Sequence, residues 1–184
     1  MIRIALLLLA TLSAFAGNAP GTIPPPDLPD IRVTTQDGTD VAFAELLRGR
    51  TVAINFVFTS CTTVCPLMGS SFGQVQNLLK RDAQNVALIS VSIDPEHDTP
   101  AKLAAWSQRY GVKPGWTLVT GRKPDIDRLL KSLGVFTPDR LQHAPTAIIG
   151  NEATGAWRRI DGLAAPSKVV AVIRDVARTE TLTR

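Results

Sequence analysis

The chain has 184 residues, with 20 Lys or Arg against 16 Asp or Glu and a formal charge of +4. That length suits one α/β domain with a sizeable core and would cramp two. Apolar residues at 45% exclude a disordered chain, and a scattered basic excess with no Lys/Arg cluster among aromatics excludes a nucleic-acid partner.

Residues 1–16 read as a signal peptide. Arg3 supplies the positive start, Ile4 to Ala10 with Leu12 the apolar run, and Ala14-Phe15-Ala16 the small residues that a signal peptidase reads. Cleavage is expected after Ala16, leaving a chain that begins at Gly17 and is exported to the periplasm or its equivalent. An uncleaved signal is the alternative and would leave the protein membrane-associated. The apolar run falls short of the roughly 20 residues that a span needs, and no cysteine stands near it to carry a lipid.

Residues 17–30 hold Pro20, Pro24, Pro25, Pro26 and Pro29 and read as a semi-rigid extended leader. The domain is expected over 31–184. It opens with a short strand at 31–34, a turn at Asp37-Gly38, and a brief helix or wrap at 41–47. Residues 51–58 read as a buried central strand. The helix that follows carries Met68, Phe72, Val75 and Leu79 at spacings of four, three and four, a stripe for one sheet face. The next strand is 86–92. Thr99-Pro100 then caps a helix running to Tyr110, with Gly111 as its terminator.

A short strand at 116–119 leads to a helix at 125–133, with Ile126, Leu129, Leu130 and Leu133 on one side. Residues 146–149 and 156–160 form a hairpin around a polar turn, and a helix at 166–177 closes the chain. A βαβ part followed by a hairpin and a final helix is the thioredoxin arrangement. The expected fold is therefore α/β and thioredoxin-like, a mixed central sheet flanked by helices with an inserted helix and strand.

Cys61 and Cys65 stand at i and i+4, directly after the central strand. Placed in one helical turn, they share a face with Cα atoms about 6.2 Å apart. That separation is within reach of a disulfide, and it also lets two thiolates converge on one Cu(I). The helix start is expected to hold the Cys61 thiol below its free value. Two plain alternatives stand beside this: an inert disulfide and a pair of buried core cysteines. A bridge closing so small a loop is a poor staple, and Thr59, Ser60, Thr62 and Thr63 argue against complete burial.

Phe58-Thr59-Ser60-Cys61-Thr62-Thr63-Val64-Cys65-Pro66, with Ser90-Val91-Ser92-Ile93-Asp94-Pro95-Glu96-His97-Asp98-Thr99-Pro100, resembles the Sco/SenC family from about Ile31 to Ile173. The resemblance implies a thioredoxin-like fold and a role in assembling the copper centre of cytochrome oxidase. It implies a copper site, Cu(I) or Cu(II), made by Cys61, Cys65 and His143, with Asp94 as an auxiliary acid near the cysteines. Gln142 and Ala144 flank His143 where members usually carry an acid and a serine. His97 is expected to be ordinary surface, and Met68 to be core.

Pro145, just before the strand at 146–149, is expected to be cis and to line a substrate groove opposite the cysteines. The function implied is that of a copper chaperone, a thiol–disulfide reductase, or both. The expected partner is the copper-binding subunit of a respiratory oxidase, with another copper chaperone or thiol reductant as further partners. A monomer is expected. A general exported thiol–disulfide oxidoreductase, peroxidase-like chemistry included, and an interaction domain with a static bridge are the alternative classes.

Overall fold

Seven consecutive residues with no exposed position, Thr51–Val57, form the middle strand of the molecule. Such a run is buried on both faces, so it needs strands beside it and helices above and below. The computed structural model describes residues 20–79 and 85–182, with side chains described through 178. The signal peptide expected over 1–16 lies outside the described residues.

Among those residues the elements in chain order are β1 (Gly21–Ile23), β2 (Arg32–Thr35), β3 (Asp40–Ala42), α1 (Phe43–Leu47), β4 (Thr51–Val57), α2 (Val64–Leu78), β5 (Val86–Ser92) and α3 (Pro100–Tyr110). Then come β6 (Trp116–Thr120), α4 (Lys123–Ser132), β7 (Thr146–Asn151), β8 (Ala156–Asp161) and α5 (Pro166–Leu182). They build one sheet in the order β1-β8-β7-β4-β5-β6-β2-β3. β4, β5 and β6 run parallel, and β7 lies antiparallel to β4 with Asn55 opposite Ala147. This is the thioredoxin-like α/β fold that the element order predicts.

Alternation along β4 divides the core. Ala53 and Val57, with Phe58 beyond the strand, pack with Met68, Phe72 and Val75 of α2, Trp106 of α3 and Ile173 of α5. Val52, Ile54 and Phe56 face the other way, against Phe43 and Leu47 of α1 and Ile126 and Leu129 of α4. The predicted α2 stripe is buried throughout. Helix α3 also begins and ends where its signals stand: Thr99 accepts a hydrogen bond from the Lys102 N–H, Pro100 is first, and Gly111 ends it at φ 65°.

Part of the leader is a strand. Gly21–Ile23 pairs antiparallel with β8, with Thr22 opposite Arg158. An outer strand leaves a row of unpaired backbone groups, and these three residues, free of proline, can fill it. β8 also forces a close approach: a methyl at Gly150 would overlap the Trp157 indole. Gly150→Ala is expected to destabilise the fold by about 3 kcal/mol, since overpacked cores lose roughly 1–3 kcal/mol or more. Denaturant unfolding checks this.

Candidate functional site

The parallel strands end on one side of the sheet, and the loop from Phe58 to Thr63 leaves β4 there to start α2. Cys61 donates its N–H to the Phe58 carbonyl at 3.2 Å, which turns the chain. Helix α2 starts only at Val64, and the Thr63 side chain makes no capping bond. The Cys61 sulfur takes that part: it accepts the Cys65 N–H at 3.3 Å and lies 3.7 Å from Thr63 Oγ1. Cys61 thus stands before the helix and not in its first turn, the place that the spacing suggests. Both cysteines are free thiols.

Their environments set them apart. Burial opposes ionisation of Cys61, but the bonds it accepts from the Cys65 thiol and N–H and from Thr63 outweigh this and bring it from 9.0 to about 7. Cys65 is buried. Burial pushes its thiol up to about 12, helped by the bond it makes to Cys61 and by the negative charges of Cys61 and Asp98, against one opposing bond from the Phe58 backbone. One sulfur is half-exposed and ionised near neutral pH; the other is covered and protonated.

Asp94, buried, joins two neighbouring loops. Its Oδ1 lies 2.7 Å from His97 Nδ1 and its Oδ2 3.2 Å from Arg140 Nε. Arg140 in turn lies over the Phe58 ring, 5.9 Å from its centroid. His97 is exposed, and its ring pairs with Asp94. Arg140 and the buried Asp98 are not singled out by sequence reasoning. Asp98 lies inside the Ser90–Pro100 motif, where an acid before a helix cap looks like common loop chemistry.

His143 lies on the other side of β4 from the core cluster that takes in Cys65, with its ring against Phe56 at 5.8 Å between centroids. Its Nε2 is buried and has no hydrogen-bond partner among the described residues. Burial, with the Arg159 charge adding, holds the imidazole below its usual value, which keeps it neutral. Among the described residues no group of three or more His, Cys, Asp or Glu is arranged to hold a metal ion. The dithiol alone fits a soft monovalent cation, two converging sulfurs being its preferred donors.

Pro145 corrects an expectation. There are no cis peptide bonds among the described residues, so the Ala144–Pro145 bond is trans. The Pro145 carbonyl accepts the Gly162 N–H at 2.8 Å, which continues the β7–β8 pairing outward. The expected cis-proline groove is therefore overturned, and the thiol–disulfide reductase reading loses that support.

The SCO1/SenC family model matches residues 29–178. The SCO1 protein homolog of Bacillus subtilis is 37% identical over 87 residues, covering 47% of this chain and 45% of that protein. The chain thus spans about half the length of the curated relatives it matches. Among solved structures, a SCO1/SenC family lipoprotein from Bacillus anthracis is 25% identical at a TM-score of 0.70, covering 83% of this chain and 96% of that one. BsSco, described as a Sco-family cytochrome c oxidase assembly protein with a disulfide switch, is 25% identical at a TM-score of 0.73, covering 88% and 97%. Bradyrhizobium japonicum ScoI with copper bound shares the fold at 22% identity and a TM-score of 0.67, covering 80% and 98%.

Proposed function

Because the chain belongs to the SCO1/SenC family, we propose that it serves in maturation of the copper centre of cytochrome c oxidase, as a reductant of the receiving cysteines and a carrier of Cu(I). The observation that carries this reading is the split pair of free thiols, an ionised Cys61 braced by the Cys65 N–H at 3.3 Å. The Cys61 thiolate attacks a disulfide in the target, forming a mixed disulfide and releasing one target thiolate. Cys65 then gives up its proton and attacks the Cys61 sulfur, closing Cys61–Cys65 and releasing the second target thiol. Two electrons pass to the target. The reduced pair also presents two sulfurs to Cu(I), which takes few ligands. The protein is exported, and its partner is the oxidase subunit that receives copper.

His143 is the third candidate ligand. Joining the thiols requires the segment between α4 and β7 to turn its imidazole away from Phe56. The buried Nε2, with no hydrogen-bond partner among the described residues, supports such a part, because a nitrogen without one loses no hydrogen bond on leaving. The test runs the parent and His143→Ala side by side. The reduced parent should reduce an oxidised peptide bearing two cysteines, and His143→Ala should do so equally well. His143→Ala should bind Cu(II) at least about tenfold more weakly, imidazole being a favoured donor for that ion. A parent that leaves the peptide disulfide intact contradicts the reading. Unchanged Cu(II) affinity removes His143 from the site and leaves the dithiol.

A further inference from the structure

Asp98 is 1% exposed, yet no cation among the described residues pairs with it. A buried carboxylate without a counter-charge is costly unless its oxygens are filled by donors. Here they are. The Thr59 N–H lies 3.1 and 3.2 Å from the two oxygens, the Thr59 hydroxyl donates to Oδ1 at 2.5 Å, and the Ser92 hydroxyl donates to Oδ2 at 2.6 Å. Ser92 is the last residue of β5, and Thr59 stands two residues before Cys61. Asp98 itself is anchored by its N–H to the Asp94 carbonyl at 2.9 Å. One carboxylate therefore ties the end of β5 and the loop before α3 to the strand end from which the thiol loop leaves.

We infer that Asp98 is a positioning residue for the dithiol, holding Thr59 so that the turn from Phe58 to Cys61 sets the Cys61 sulfur under the Cys65 N–H. Fixing the fold alone does not require an acid. An apolar residue beside Thr59 and Ser92 would remove the desolvation cost. A carboxylate is the acceptor-only group that can take the backbone N–H and both hydroxyls at once. Charge-assisted bonds are also the short, strong ones, suited to a loop whose sulfur must stay in place while its partner changes. The inference deepens the proposed thiol chemistry and rests on Cys61 as the attacking sulfur.

The experiment measures the equilibrium of the Cys61–Cys65 pair with a glutathione buffer at one pH, for the parent, Asp98→Asn and Thr59→Val, alongside thermal unfolding. Losing the brace on the Cys61 sulfur removes a bond to a charged group, so Asp98→Asn is expected to shift the equilibrium about tenfold towards the disulfide. Thr59→Val keeps the N–H and loses the hydroxyl, and about a threefold shift in the same direction is expected on the same ground. A lower melting temperature with an unmoved equilibrium would mark Asp98 as structural only and overturn the inference, as would a shift towards the dithiol. Should Asp98→Asn not fold, Thr59→Val decides on the same readout. No oxidase subunit enters this measurement, so the proposed partner can fail while the role of Asp98 stands.

Discussion

Cys61→Ser is expected to slow reduction of a disulfide peptide by about a thousandfold or more. Only a thiolate attacks, and the remaining sulfur is the one held near 12. At pH 7 a thiol at about 7 is half ionised, whereas one at about 12 is ionised in roughly one molecule per hundred thousand. Loss of the bond to Cys61 relaxes Cys65 somewhat, which is why the expected factor is smaller than that ratio. Cys65→Ser should behave differently. Its Cys61 attacks once and then stalls, because no second sulfur can close the ring, and a mixed disulfide with the peptide accumulates. Mass spectrometry of the acid-quenched mixture separates the two variants. Equal rates for Cys61→Ser and the parent would contradict the assigned roles.

A pH profile should separate the two sulfurs as sharply. Alkylation of the reduced parent by iodoacetamide should modify one cysteine, at a rate rising through about pH 7 and level by about pH 9, with Cys65 silent over that range. The same shifts set the stability of the reduced protein. The folded Cys61 thiol is depressed below its unfolded value of 9.0, so between about 7 and 9 the unfolded chain binds the extra proton and stability rises with pH. Cys65 is raised, so from 9 towards about 12 the folded chain holds the extra proton and stability falls. The contribution of these two groups therefore peaks near pH 9. Melting curves for the reduced parent minus those for the Cys61→Ser, Cys65→Ser double variant isolate it, and a flat difference would contradict the asymmetry.

Much of this architecture is legible in the residues because local signals and burial agree. Residues 51–58 carry buried apolar side chains on both faces, which requires a central strand. Thr99-Pro100 and Gly111 mark both ends of α3. What escapes depends on contacts distant in sequence. Gly21–Ile23 looks like part of a proline leader until the open edge of β8 is present to pair with it. Pro145 has nothing local to choose its isomer, and the Gly162 N–H that ties its carbonyl lies across the hairpin. Four-residue spacing is a helical signal, and it draws Cys61 into the helix on paper. Where a helix starts depends on capping, and here the sulfur itself is the acceptor.

His143 shows the same limit from the side of function. The family resemblance implies it as a ligand, and nothing in Gln142-His143-Ala144 says which face of the sheet its ring occupies. Phe56 decides that, through the alternation of β4. Asp98 is the converse case. Its donors come from Thr59 and Ser92, 39 and 6 residues away. No spacing rule brings those three together, although each lies in one of the two motifs that carry the family resemblance.

If the dithiol of Cys61 and Cys65 is the working part of the molecule, with Cu(I) as its cargo, the reduced chain must hold that ion through both sulfurs. The direct measurement is an anaerobic titration of the reduced chain with Cu(I) against a competing chelator, run on the parent, Cys61→Ser and Cys65→Ser. The expected result is one Cu(I) held per parent chain, at least about a hundredfold weaker binding in either single variant because one soft donor is gone, and no binding once Cys61–Cys65 is oxidised. Retention of Cu(I) by the oxidised chain, or undiminished binding in either serine variant, would contradict it.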